Sequence, residues 1–313
     1  MQVLSCDLWV MDQKMVRNLA ALANLFSARD NLPAIKTEAA IIEAVQVSQQ
    51  AKQQKSVAVI PVSGALEARP TEMGAWLGMS SYEVIGKVFD HFVGDSSVSG
   101  IILDVSSPGG MVYGAQELAD KIYSARGTKP IIAVANPLMA SGAYWLASAA
   151  DRIAITPSGD VGSVGVITEH VDISRRYEQR GVSVSTIKAT GSPYKGENSY
   201  VAPLSEEARQ HLQNRVDAIH SRFVGDLARF RGVSVDHVNE HFGKGRVVDA
   251  KTAMNAGMVD RVGTLQEVAV KMAAGRIRIA GERAQDNWDA PTKRELLQER
   301  AAAIRAVAEG ETL

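Results

Sequence analysis

The sequence predicts an α/β fold: a layered, mostly parallel sheet with flanking helices, preceded by an N-terminal helical appendage and followed by a charged helical tail. Two observations predict the sheet. Compact apolar runs recur at 57–62 (VAVIPV), 100–105 (GIILDV), 130–135 (PIIAVA) and 152–156 (RIAIT), and helical patterns at 81–92, 112–126 and 141–150 lie between them. A strand that stays apolar on both alternating faces is buried on both, as in parallel sheets whose crossovers are helices of about 10 to 15 residues. Right-handed crossovers then stack the units into layers. A third observation is compositional. Hydrophobic residues make up 46% and charged ones 22%, which is ordinary globular usage and excludes wholesale disorder.

Taken in order, residues 1–55 show helical spacing and end in the polar run 49–55, which reads as an appendage and connector. Residues 56–272 hold the strand–helix alternation and form the main domain. Its longest element is a helix at 205–231, with Ala208, Leu212, Val216, Ile219, Phe223, Leu227 and Phe230 at three-to-four spacing. Ser205 is placed to cap it, Glu206 and Glu207 suit its positive end, and Gly232 suits its stop. Residues 273–313 are rich in Arg and Glu and carry a helical pattern with Leu296, Leu297, Ile304 and Val307, which reads as a mobile or partner-binding tail.

Composition excludes several function classes. Thirty-four Lys and Arg against 35 Asp and Glu leave a net charge of -1, so no global field favours nucleic acid. A single cysteine, Cys6, excludes an intrachain disulfide framework and a Cys-rich zinc site. No run reaches the ~18 consecutive apolar residues of a spanning helix. The first residues are interrupted by Asp7, Asp12, Lys14 and Arg17, unlike a secretory signal. The expectation is a protein without a membrane anchor.

In a parallel sheet the chemistry gathers where strands end and helices begin. Two such turns stand out. Ser106-Ser107-Pro108-Gly109-Gly110 follows the second strand, and a Pro-Gly-Gly turn bares consecutive amides that suit a developing negative charge. Asn136 to Tyr144 follows the third strand and carries Ser141 between Ala140 and Gly142. A serine there either presents its Oγ to a cleft, with the Gly142 amide as an oxyanion donor, or simply caps the helix. The Gly-x-Ser-x-Gly elbow of α/β-hydrolases is absent. A nucleophilic serine needs a base, and three residues qualify: His170, Lys188 and Lys195. A lysine serves only if burial lowers its pKa from ~10.4 to near 7.

The order of Ser-Pro-Gly-Gly (107–110), Met-Ala-Ser-Gly-Ala-Tyr (139–144), Ala-Ala-Asp-Arg-Ile-Ala-Ile-Thr-Pro (149–157) and Gly-Ser-Val-Gly-Val-Ile (162–167) resembles the signal peptide peptidase A family. Ile187-Lys188, Val247-Val248-Asp249-Ala250 and Ala256-Gly257-Met258-Val259-Asp260 extend the resemblance over roughly residues 56–270. It implies a Clp protease/crotonase-like fold and a serine endopeptidase with a Ser-Lys dyad: Ser141 as nucleophile, Lys195 as base with Lys188 as runner-up, and Gly109, Gly110 and Gly142 as oxyanion hole. No metal or cofactor is implied. It also implies a homo-oligomeric ring in which neighbouring protomers sometimes share the dyad.

The start, with Leu8-Trp9-Val10-Met11 leading into a helix, is similar to tailed-phage members that mature procapsids. That branch implies scaffold and portal proteins as partners, and the host cytoplasm or the procapsid interior as location. Three other readings stay open. They are a cytoplasmic housekeeping peptidase of the same family, a crotonase-like acyl-CoA enzyme, and an inactive assembly protein. Met111, Met139 and Tyr144 are expected to line the substrate pocket.

Overall fold

A computed structural model describes residues 9–11 and 56–277. Most of the appendage and tail read from the sequence therefore lie outside the described residues. In chain order the elements are β1 (Trp9–Met11), β2 (Ser56–Ser63), β3 (Leu66–Glu67), α1 (Glu72–Trp76), β4 (Ser80–Ser81), α2 (Tyr82–Gly94), β5 (Val98–Ser107), β6 (Gly109–Met111), α3 (Ala115–Ser124), β7 (Ile131–Ala140), α4 (Gly142–Ser148), β8 (Arg152–Ile155) and β9 (Asp160–Gly162). They continue with α5 (Ser174–Gln179), α6 (Glu206–Arg231), α7 (Val235–His241), β10 (Val247–Asp249), α8 (Ala250–Ala256), β11 (Arg261–Val262) and α9 (Leu265–Ala273).

The main sheet runs β10-β9-β7-β5-β2, with β8 pairing β7 and β11. β2, β5, β7 and β8 are parallel, as the uninterrupted apolar runs require. β7 is long enough to serve two partners on one edge: Ile132–Ala135 pair with β8, and Leu138–Ala140 pair with β9. Alternate residues of each strand enter different cores. Ile101, Leu103 and Val105 face the large cluster shared with α2, α3, α4 and α6, whereas Ile102, Ile132 and Val134 face Val268 and Met272 of α9.

A second, small sheet runs β1-β6-β3-β4. Residues 9–11, inside a stretch whose spacing reads as helical, are thus a strand. They pair antiparallel with β6, a long-range partner that local periodicity does not report.

Helix α6 carries the expected cap: Ser205 Oγ accepts the Ala208 N–H at 3.1 Å, and Gly232 closes the helix at φ 68°. Its apolar stripe is buried only in part. Ile219, Phe223, Leu227 and Phe230 enter the core, but Leu212 and Val216 nearer its start remain half-exposed. Phe223 stacks on Trp145 of α4 at 4.4 Å, and Trp145 Nε1 donates to Asp226 Oδ2 at 3.0 Å. This lock fixes α4, the helix that leads out of the Ser141 turn.

Arg126 closes the other end of the same unit. Its guanidinium donates to the carbonyls of Ser148 at the end of α4, of Ala149 and Ala150 just beyond it, and of Phe230 in the last turn of α6. A cation there satisfies orphan carbonyls and opposes two helix dipoles at once. Arg126→Ala is expected to cost about 2–4 kcal/mol, since several buried acceptors lose their donor together. Arg126→Lys restores only part of that, having no planar fork. Urea unfolding midpoints at constant m-value check both.

Candidate active site

Both turns singled out from the sequence meet at one end of the sheet. β5 and β7 run parallel with Ser107 opposite Met139, so Gly109 and Ser141, each two residues further on, emerge side by side. β6 then packs against α4.

Ser141 has φ 54° and ψ -121°, a region that side chains rarely enter. Such strain costs on the order of 1–3 kcal/mol and persists only where its surroundings impose it. Here they do. The Ser141 N–H donates to Gly162 O at 2.6 Å, anchoring the turn to β9, and its carbonyl accepts the Trp145 N–H at 2.9 Å, starting α4. Its Oγ does not cap that helix. The residue is fully buried, and its Oγ has no hydrogen-bond partner among the described residues. The capping role that the sequence left open is therefore not the one it plays. Gly142, as the first residue of α4, contributes one of the amides that no helical carbonyl can reach.

The glycine turn is clamped by a residue that sequence reasoning gave no role. Ser107 is fully buried; its Oγ donates to Gly64 O at 2.6 Å and accepts the Gly109 N–H at 3.1 Å. Gly109 sits at φ 93°, and Gly110 presses against β3 so closely that a Cβ would meet Leu66 O at 1.9 Å. Gly110→Ala is accordingly expected to displace β6 and abolish any activity of this cleft, with a loss of more than ~2 kcal/mol in stability. Thermal unfolding beside an activity assay separates the two effects. At the base of the second turn, Asn136 Nδ2 donates to Asp104 Oδ1 at 3.1 Å. Burial raises the Asp104 carboxyl pKa, and the Asn136 hydrogen bond opposes the shift.

None of the three candidate bases is hydrogen-bonded to Ser141. Lys188 and Lys195 are both exposed, and Lys188 Nζ donates to Pro193 O at 3.2 Å. His170 Nε2 lies 3.2 Å from Ala202 O. The Ser141 Oγ is unpartnered, so among the described residues no lysine is hydrogen-bonded to it. Residues 168–205 hold a single short helix, α5, and bare large apolar side chains to solvent, including Ile187 at 97% exposure and Tyr194 at 58%.

Residues 124–277 match the family model of peptidase family S49. The chain carries a peptidase family S49 domain. It is 34% identical over 206 residues to the head-tail preconnector protein GP5 of Enterobacteria phage P21, covering 66% of this chain and 40% of that one. It is also 34% identical over 211 residues to the capsid assembly protease C of Escherichia phage lambda, covering 66% of this chain and 46% of that one. The chain thus spans less than half the length of these two relatives.

Two of the residues expected to line the pocket do not face a cavity. Met139 and Tyr144 are fully buried, with Tyr144 OH donating to Met258 O at 2.8 Å, so both belong to the core. Helix spacing turns Tyr144 inward beside Trp145, which the turn sequence alone could not convey. Burial pushes the Tyr144 phenol pKa far up, so it stays a neutral donor. A cavity of about 630 Å³ opens instead between residues 163–167 and helices α6 and α7. Val164, Val166 and Phe242 give it an apolar wall, and His220 carries a buried Nδ1 with no partner among the described residues. Its sequence signal was the Gly-Ser-Val-Gly run, where Ser163 takes a positive φ of 53°. No helix among the described residues is long and apolar enough to cross a membrane.

Proposed function

We propose that this chain is a serine endopeptidase that uses Ser141 and Lys195 as a dyad and acts on capsid-assembly proteins of a phage. One observation carries the reading: a serine held at φ 54° on a strand-to-helix turn, its Oγ spared from capping, one residue before Gly142 and at the end of the strand that pairs with the one leading into Gly109-Gly110. Strain of this kind is a hallmark of sites that a fold maintains against its local preference. In the reaction, a neutral Lys195 takes the Ser141 hydroxyl proton while Oγ attacks a peptide carbonyl. The new oxyanion is held by amides of Gly142 and of Gly109 or Gly110. The lysine then gives its proton to the leaving amine, and water hydrolyses the ester to restore the serine. The Gly109 amide must leave Ser107 Oγ to take part.

The lysine reaches the serine through assembly. The exposed apolar side chains of residues 168–205 mark this stretch as one that packs on a second copy, carrying Lys195 with it. The protomers form a closed ring, and a single chain is inactive. The name of the lambda relative, a capsid assembly protease, supports a role in capsid assembly; within that role the substrates are scaffold and portal proteins, cut in the host cytoplasm or inside the procapsid. The test is incubation of the assembled protein with unfolded casein and with the scaffold and portal proteins encoded in the same genome, beside Ser141→Ala. Cleavage by the parent alone is expected. An assembled parent that leaves every one of these proteins intact would end the reading.

A further inference from the structure

The glycine strand β6 already has a partner strand from this chain. β1 lies antiparallel on β6, with Trp9 opposite Met111, Val10 opposite Gly110 and Met11 opposite Gly109. The other edge of β6 is taken by β3, where Leu66 pairs with Gly110. β1 therefore fills the one edge of the glycine strand that the small sheet leaves open.

Direction and register decide what this means. β1 enters beside Met111 and runs toward Gly109, which emerges next to Ser141 because Ser107 and Met139 are paired in β5 and β7. An extended peptide offering a carbonyl to Ser141 gains register from main-chain hydrogen bonds along this edge, with the residue to be attacked opposite Gly109. Met11 stands at that place, with two residues before it already paired. The complete burial of Ser141 agrees with a cleft that is covered.

We propose that Trp9–Met11 is a built-in occupant of the substrate strand's place, and that foreign peptides bind by displacing it. The proposal rests on the peptidase reading above and adds two things to it. Substrates enter as extended, unfolded segments, because only a strand pairs along β6. The enzyme also carries its own competitor, so its activity is held below what the open cleft supports.

Trp9→Pro and Val10→Pro, made separately, test this. Successive amides of a strand point to opposite edges, so one of the two prolines removes a donor facing β6. Two readouts are taken on the full-length assembled protein: hydrogen exchange by mass spectrometry, and the rate at which a fluorophosphonate probe and unfolded casein react. The expected result is that at least one variant loses protection at 9–11 and 109–111, keeps it in β5 and β7, and reacts about threefold faster or more, as release of an intramolecular competitor requires. Lost protection with unchanged or slower reaction overturns the proposal, since β1 then lies outside the substrate's path. Unchanged protection in both variants overturns it as well, because β1 would not be on β6. If protection falls as expected but no form ever reacts with probe or casein, the peptidase reading fails and β1 is a structural edge strand only.

Discussion

Ser141→Ala is expected to lower peptide hydrolysis by at least ~10³-fold, because a dyad without its nucleophile keeps only oxyanion and binding effects. The stability of variants at this position separates chemistry from packing. Alanine at φ 54° inherits the strain, whereas glycine relieves it at a smaller entropic cost. Ser141→Gly should therefore be equally inactive yet more stable than Ser141→Ala by about 1 kcal/mol. Denaturant melts of the two variants check the order. If alanine proves the more stable, the backbone at Ser141 is not under the stress on which the proposed nucleophile role rests.

Lys195 variants carry the second large effect. Lys195→Ala and Lys195→Arg should both lose on the order of 10³-fold in rate, because arginine keeps the charge but stays protonated. Assembly makes the sharper case. Ser141→Ala and Lys195→Ala, each inactive alone, should regain activity when unfolded and reassembled together. Up to roughly a quarter of shared sites then combine an intact serine with an intact lysine from the neighbour, if subunits mix at random in a closed ring. Two inactive variants that stay inactive in the mixed ring would place both groups in one chain. A Lys188→Ala variant that is the slower one would move the base to that residue.

The fold was legible because its signals were local. Strands buried on both faces appeared as uninterrupted apolar runs, and α6 announced both its ends through Ser205 and Gly232. The placement of the two turns followed from the parallel order of β5 and β7. What escaped was nonlocal or conformational. Residues 9–11 read as part of a helical stretch because their partner, β6, lies about a hundred residues away in sequence. Tyr144 and Met139 looked like pocket lining, though only the rotation of α4 and the pleat of β7 decide which way they point. Ser107 looked like one more polar residue in a turn, and its clamp on Gly109 exists only once Gly64 is brought alongside. Ser141 itself illustrates both sides. Its residue type and neighbours were readable, but the positive φ that distinguishes a presented hydroxyl from a helix cap is a property of the folded backbone.

The central claim is that Ser141 is the nucleophile of a peptidase and becomes one on assembly. Intact mass spectrometry after fluorophosphonate treatment, followed by peptide mapping, addresses it directly. The account predicts one adduct per chain on Ser141 in the assembled parent, none in Ser141→Ala, and strongly slowed labelling in Lys195→Ala. An assembled parent without adduct, or an adduct that maps to another residue, would contradict it.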